Sequence, residues 1–104
     1  MNVFLQLSSF RGKHMADVLI EKNGGIMTVT INRPEAKNAM NKEAAEGIAA
    51  AMEELDSSDE LRVAILTGAG GTFCSGMDLK GFLKGEFPVV KGRGFAGLVE
   101  KPPK

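Results

Sequence analysis

The stretch "TFCSGMDLKGF", residues 72–82, brings together several side chains that take part in protein chemistry. It holds the only cysteine of the chain, Cys74, beside Ser75, Gly76 and Asp78, and it follows the glycine-rich run "TGAGG". Three kinds of site use such residues. They are a nucleophilic thiol, a glycine-rich loop around a phosphate, and a set of backbone N–H groups that binds an oxyanion.

A phosphate-binding loop of either common type matches this stretch poorly. Gly71 and Gly76 have the spacing of the two P-loop glycines, but Met77 and Asp78 stand where that loop has lysine and a hydroxyl residue. An aspartate at this place would repel a phosphate. The three-glycine pattern of dinucleotide-binding proteins also fails, because Phe73 stands at its third glycine. The sequence therefore does not predict a nucleotide site here.

Catalysis by the Cys74 thiol needs a neighbouring base that generates the thiolate. The one histidine is His14, near the start of the chain. A small, buried and unreactive cysteine is therefore the expected interpretation. No group of histidine, cysteine or acidic residues has the spacing of a metal site, so we expect no metal.

Backbone N–H groups are the remaining possibility. The pattern Ser75-x-x-Asp78 is that of a capping box, which predicts a helix with Ser75 as its N-cap and Gly76 and Met77 in its first turn. The first N–H groups of a helix have no partner inside the helix and can stabilise an oxyanion. Gly76 would also allow close approach of a substrate, since it has no Cβ. An ordinary capped helix end is the simpler interpretation, and the physical argument alone leaves both open.

The preceding sequence predicts elements that would position this loop. Residues 17–32 alternate around Asn23-Gly24, which is typical of a β-hairpin with a type I′ turn. Apolar residues recur at helical spacing over residues 42–55, with Asn41 as the candidate N-cap. The apolar run "RVAILTG", residues 62–68, is typical of a strand buried on both faces.

The order strand, helix, strand predicts a parallel crossover connection and an α/β fold class, with a hairpin at its start. After Gly81 the chain is rich in glycine and proline, which indicates a loop. Within that loop, the piece "GFAGL" is a candidate helical turn.

Composition limits the possible partners and compartments. A chain of 104 residues is long enough for one small domain. Its 13 basic and 13 acidic residues give a net charge of zero, which argues against a nucleic-acid partner. No apolar run approaches the roughly 20 residues of a membrane-spanning helix, so we expect no membrane partner. A single cysteine cannot form an internal disulfide, and a cytoplasmic location is expected.

Residues 1–14 differ from the rest of the chain because they contain no acidic residue and have apolar residues at helical spacing. Two interpretations stay open. The segment is a transit peptide, which would favour mitochondria, or it is a leader or tag upstream of a natural start at Met15. Residues 15–104 are assigned to the N-terminal part of one domain.

Two longer segments carry a family resemblance. "INRPEAKNAMN" resembles the N-R-P-x-x-x-N-A signature of the enoyl-CoA hydratase/isomerase (crotonase) superfamily, and "RVAILTGAGGTFCSGMDLKGF" resembles its [FG]-x-[AS]-G-x-D signature. The resemblance runs from about residue 17 to residue 104. It implies a crotonase-like α/β fold, a spiral of ββα repeats, of which this chain would be the N-terminal part.

The resemblance also implies a site. The backbone N–H of Met77, next to Gly76, would be one of two donors in an oxyanion hole for the carbonyl of a CoA thioester. The implied substrate-binding and CoA-binding residues are Ala36, Lys37, Asn38, Cys74, Gly76, Met77, Asp78 and Leu79. Coenzyme A would be part of the substrate, an acyl-CoA or enoyl-CoA thioester, and no other cofactor is implied. Further anion contacts, or simply a solvated basic loop, are open for Lys80, Lys84, Lys91 and Arg93.

The sequence departs from the family in its length. The family's second oxyanion donor and its two acid/base glutamates are expected beyond Lys104, and neither Glu86 nor Glu100 matches their motifs. Two functional classes follow. One is an enzyme, a hydratase first and otherwise an isomerase, dehalogenase or hydrolase, active at full length as a homotrimer or hexamer. The other is a non-catalytic crotonase-like fragment or CoA-binding module. The 104-residue chain, apparently truncated, is expected to be inactive alone.

Overall fold

The computed structural model describes residues 16–104, and its first element is a β-hairpin. Strands β1 (Val18–Asn23) and β2 (Ile26–Ile31) pair antiparallel. The turn between them is Gly24-Gly25, one residue later than predicted, with φ angles of +62° and +90°. A type I′ turn needs positive φ at both central residues, and glycine adopts this conformation without steric cost. The hairpin is therefore confirmed and its turn position corrected.

Helix α1 (Lys42–Ser57) covers one face of the sheet. Its predicted N-cap is confirmed, because Oδ1 of Asn41 accepts a hydrogen bond from the N–H of Ala44 at 2.9 Å. The helix buries an apolar stripe against three fully buried residues of β2. The stripe comprises Ala44, Ala45, Ile48, Ala49, Ala51, Met52 and Leu55, and the β2 residues are Met27, Val29 and Ile31.

Strand β3 (Val63–Gly68) pairs parallel with β2, which gives the strand order β1-β2-β3 and confirms the predicted parallel crossover through α1. The expectation that this strand is buried on both faces is wrong for the described chain. The Val63 and Ile65 side chains are 49% and 51% exposed, whereas Ala64 and Leu66 pack against the core. The reason is that, within residues 16–104, only one face of the sheet is covered by the core, and Val63 and Ile65 lie on the other face.

The loop after β2, which contains Pro34, and the glycine-rich loop after β3 each contain a turn of 3₁₀ helix, Pro34–Ala36 and Ala69–Gly71. Helix α2 (Leu79–Leu83) follows the second loop. The remaining segment contains a small antiparallel pair, β4 (Val89–Val90) and β5 (Gly94–Phe95), which the sequence did not indicate.

The predicted helical turn in "GFAGL" is wrong, because Gly94 and Phe95 form β5 and the next two residues, Ala96 and Gly97, have left-handed φ angles of +57° and +75°. The chain turns there instead, and the Leu98 and Val99 N–H groups both donate to the carbonyl of Phe95 at 3.3 Å. None of the helices in residues 16–104 combines the length and the apolar character needed to cross a membrane. The leader predicted for residues 1–14 lies outside the described residues.

Candidate functional site

The two loops that carry the motifs lie side by side and are joined by a short parallel bridge between Met40 and Met77. The Met40 N–H donates to the carbonyl of Gly76 at 2.6 Å, and the Asp78 N–H donates to the carbonyl of Met40 at 2.8 Å. Nearby, the Ser75 N–H donates to the carbonyl of Lys37 at 3.1 Å. The structure therefore brings together the residues of both motifs.

The bridge explains why the Met77 N–H has no hydrogen-bond acceptor in residues 16–104. In a parallel bridge, one residue of the pair makes both hydrogen bonds, to the two neighbours of the residue opposite it. The opposite residue directs its own N–H and C=O away from the partner strand. Met40 makes both bonds here, so Met77 directs its polar groups outward. Within residues 16–104 no acceptor contacts the Met77 N–H, and the residue is 40% exposed. This backbone donor is therefore unpaired within the described residues and belongs to an exposed residue.

The predicted capping arrangement at this loop is wrong in its details. Asp78, rather than Ser75, is the N-cap of α2, and its Oδ1 accepts a hydrogen bond from the Lys80 N–H at 3.1 Å. Gly76 has φ of +115°, which is not a helical conformation, so the helix cannot start there. The Met77 N–H is thus unpaired because of the bridge and not because it lies in the first turn of a helix.

Asn38, predicted to line a ligand entrance, has a fully buried side chain. Its Oδ1 accepts from the Arg33 N–H at 2.7 Å, and its Nδ2 donates to the carbonyls of Ala69 and Thr72 at 2.8 and 2.5 Å. The side chain therefore faces the interior and joins the first loop to the second. Its backbone has φ of +57°, a conformation that asparagine tolerates better than most residues.

Gly68, which the sequence did not single out, lies directly beneath this junction. A Cβ at Gly68 would be 2.4 Å from the carbonyl oxygens of Thr72 and Phe73 and 2.8 Å from Nδ2 of Asn38. Only a residue without a side chain fits there. The glycine-rich run was a visible signal, but its role in packing depends on Asn38, which is distant in sequence.

Asp78, predicted for the CoA surface, also takes part in an ion pair that the sequence did not indicate. Its Oδ2 lies 3.1 Å from Nη2 of Arg33, and the two side chains are only 18% and 14% exposed. The sequence feature that could have predicted this ion pair is the presence of one arginine in the first motif and one aspartate in the second. Because this carboxylate is already paired, it is poorly suited to act as a catalytic base.

The other predicted site residues lie near the bridge in sequence and differ in how far they are exposed to solvent. Lys37 is exposed in a left-handed turn with φ of +52°, Ala36 is half-buried, and Leu79 is 71% exposed. Cys74 is half-buried against the core, with its Sγ 3.8 Å from the carbonyl of Gly76. Among residues 16–104 no three histidine, cysteine or acidic side chains come close enough together to hold a metal ion.

The four basic residues beyond this site do not behave alike. Lys80, Lys84 and Lys91 are exposed. Arg93 is only 3% exposed, so both interpretations offered for it, an anion contact and a solvated loop residue, are wrong. Its guanidinium contacts Glu53 at 2.9 Å and Asp56 at 3.4 Å and donates to the carbonyl of Lys101 at 2.7 Å. Arg93 therefore connects the C-terminal segment, at Lys101, to Glu53 and Asp56 of α1.

The contacts of Asp56 lower the pKa of its carboxyl group from the usual value of 3.8. The largest cause is the hydrogen bond that Oδ1 accepts from the Lys104 N–H at 2.8 Å. Burial opposes this effect, and the hydrogen bond and charge of Arg93 add to it. The ionised form of Asp56 is therefore favoured in the folded chain.

Comparison with known proteins identifies the family. The family model described as enoyl-CoA hydratase/isomerase matches residues 21–95. The chain is 47% identical over 64 residues to enoyl-CoA hydratase EchA19 of Mycobacterium tuberculosis, an alignment that covers 62% of this chain and 24% of that protein. It is 40% identical over 65 residues to 1,2-epoxyphenylacetyl-CoA isomerase of Escherichia coli, covering 62% and 25%.

Solved structures agree with these matches. A probable enoyl-CoA hydratase/isomerase from Mycobacterium abscessus superimposes with a TM-score of 0.82 at 50% identity, over 86% of this chain and 35% of that one. The chain thus spans about a quarter to a third of the length of these proteins. The matched segment includes the bridge and both of its loops. The fold is that of the crotonases, and the chain belongs to the enoyl-CoA hydratase/isomerase family.

Proposed function

We propose that the whole protein acts on a CoA thioester and that the Met77 N–H is one donor to the thioester oxygen. Hydration of an enoyl-CoA is the favoured reaction, with isomerisation as its nearest relative. One observation carries the proposal. In a chain of this family, the Met77 N–H has no acceptor within residues 16–104, and it belongs to a 40% exposed residue on a hydrogen-bonded bridge.

The chemistry of a thioester explains why such a donor matters. Addition of water at Cβ, or loss of a proton from Cα, leaves negative charge on the carbonyl oxygen. A fixed N–H that points at this oxygen stabilises the enolate more than the neutral thioester, which accelerates the reaction. Removal of one such donor typically costs about 3 kcal/mol of transition-state stabilisation.

The surroundings of Met77 suit the rest of the substrate in this proposal. The exposed Lys37, on the loop beside the bridge, is a candidate contact for a CoA phosphate. Gly76, Cys74 and Leu79 would border the thioester and pantetheine. Coenzyme A enters as part of the substrate, and the reaction needs no further cofactor. A trimeric or hexameric assembly and a cytoplasmic location remain parts of the proposal that rest on the sequence.

A second candidate function is binding of CoA thioesters without catalysis. The observation that favours it is the ion pair of Asp78, because the acidic residue nearest to Met77 in sequence is already held by Arg33. A protein of this kind would bind an acyl-CoA through the same backbone donor and would not hydrate it.

The test compares two variants at the same position. Met77→Pro removes the N–H, and because that group has no acceptor within residues 16–104, the fold loses no hydrogen bond there. Met77→Ala keeps the N–H and removes only the side chain. Both would be placed in a version of the protein extended to the length of its relatives, and hydration of crotonyl-CoA would be followed by loss of the enoyl absorbance.

We expect Met77→Ala to keep activity within a few-fold and Met77→Pro to lose roughly a hundredfold or more in kcat. Equal losses in the two variants would count against the backbone role. Binding of crotonyl-CoA with no turnover by the extended protein would favour the second candidate function.

A further inference from the structure

The guanidinium of Arg33 contacts both strands of the bridge that presents Met77. Nη1 donates to the carbonyl of Ala39 at 2.6 Å, and Nη2 contacts Oδ2 of Asp78 at 3.1 Å. Ala39 directly precedes Met40, and Asp78 directly follows Met77. One planar group therefore connects the residues next to the bridge on each side.

This connection matters because the bridge itself is small. It consists of two backbone hydrogen bonds outside any regular strand, between loops that also contain residues with positive φ. Two hydrogen bonds contribute about 1 kcal/mol each, so the bridge alone would open easily. The fixed fork of an arginine suits two acceptors at once, which the single ammonium of lysine does not reproduce.

The contacts of Arg33 with Asp78 and Ala39 connect its guanidinium to the backbone on both sides of the Met77 N–H. The Asp78 carboxylate contacts the Arg33 guanidinium and accepts from the Lys80 N–H in the first turn of α2, while the Asp78 backbone N–H donates to the Met40 carbonyl in the bridge. The Met77 N–H itself belongs to the Gly76–Met77 peptide, whose carbonyl accepts from the Met40 N–H. The Met40 N–H in turn shares a planar peptide with the Ala39 carbonyl that Arg33 holds, so the guanidinium acts on both peptides that set the direction of the Met77 N–H. The ion pair is mostly buried, so solvent screens it less than a surface pair.

We infer that Arg33 is a positioning residue that, through Asp78 and Ala39, fixes the direction of the Met77 N–H. The catalytic meaning of this role rests on the proposed function. The claim that Arg33 holds the bridge in place does not rest on the proposed function, because it concerns only the contacts around the bridge.

The first experiment measures amide hydrogen exchange by NMR in the 104-residue chain. Arg33→Lys keeps the charge and removes the fork, and Asp78→Asn keeps the cap acceptor and removes the charge. The matched control is Lys22→Ala, which removes the exposed ion pair of Lys22 with Glu54 far from the bridge in sequence. We expect exchange of the Met40 and Asp78 amides to accelerate at least about tenfold in both bridge variants and to stay unchanged in the control.

The amides of Ile48 and Met52 in α1 report on the rest of the fold and should keep their protection in all variants. Unchanged exchange at Met40 and Asp78 in Arg33→Lys would overturn the inference. Uniform acceleration across α1 and the bridge would overturn it as well, because Arg33 would then serve general stability.

A second readout distinguishes positioning from a structural role. Butyryl-CoA, a saturated thioester that cannot be hydrated, is added at saturation, and the shift of the Met77 amide resonance is recorded. We expect a clear shift in the native chain and at most half of it in Arg33→Lys. An equal shift in both would overturn the inference. No shift in the native chain would contradict the proposed function, while the exchange result would still decide the role of Arg33.

Discussion

The side-chain Nδ2 of Asn38 donates a hydrogen bond to the carbonyl oxygen of Thr72 at 2.5 Å, across 34 residues of sequence. The same nitrogen donates to the carbonyl of Ala69, and the side-chain oxygen accepts from the N–H of Arg33. A single buried amide thus satisfies three backbone groups of two different loops. This arrangement holds the two motif segments at a fixed separation beside the Met40–Met77 bridge.

Asn38→Ala is expected to be strongly destabilising. It leaves three backbone groups without their partner in the interior, and the cost should reach about 3 kcal/mol or more. Asn41→Ala is the control, since the same residue type is then removed from a half-buried N-cap, at about 1 kcal/mol. Urea unfolding measures both free energies. Similar losses for the two variants would show that the Asn38 contacts add little stability.

Gly68→Ala should be more harmful than a glycine substitution in the hairpin turn. Gly68 has an ordinary φ of −126°, so the expected cost of about 3 kcal/mol comes from overpacking against the Thr72 and Phe73 carbonyls. Gly24→Ala meets no atom within 4 Å, but its φ of +62° costs about 1 kcal/mol. Thermal unfolding of both variants tests the ranking, and a reversed order would contradict the close contact at Gly68.

Stability should fall in acid partly through Asp56. Its pKa is lowered in the folded chain, so the unfolded chain binds a proton more readily. The stabilisation is therefore complete above the unfolded value near 3.8 and is lost as the pH falls through the lower folded value. Asp56→Asn should show a smaller loss of unfolding free energy between pH 5 and acid pH than the native chain.

The control for this pH dependence is Asp59→Asn, an exposed aspartate with no ion pair within residues 16–104. Urea titrations at a series of pH values compare the three proteins. If Asp56→Asn and the native chain lose stability in parallel, the contacts with Lys104 and Arg93 do not act on folding.

Cys74 is expected to form no covalent intermediate. Its thiol is half-buried against the core, and the only histidine of the sequence, His14, lies outside the described residues. After incubation with butyryl-CoA, the intact mass of the chain should show no acyl adduct, with Cys74→Ala as the blank. Cys74→Ala should also bind the thioester as the native chain does. An acyl group found on Cys74 would contradict this expectation.

Local patterns in the sequence were sufficient to predict the hairpin, α1 and β3, but not β4 and β5. The alternation in the hairpin, the helical spacing of α1, its Asn41 cap and the apolar run of β3 all act over a few residues, so they can be recognised without the fold. The two motifs were also sufficient to indicate the family, which the comparisons confirm. The place of Met77 next to Gly76 in the second motif marked it as a candidate donor through the family resemblance.

Tertiary structure alone decided how the site is built. Met77 lies outside the helix because Gly76 takes a positive φ and the Asp78 N–H bonds to Met40, which is far away in the sequence. Asn38 and Arg93 are buried for the same kind of reason, since each has hydrogen-bond partners that lie 31 to 40 residues away. A polar or charged side chain is buried only when such partners satisfy it, and no local pattern shows where they are. The elements follow from short-range periodicity, whereas the exposure of each polar group depends on contacts that exist only once those elements have packed.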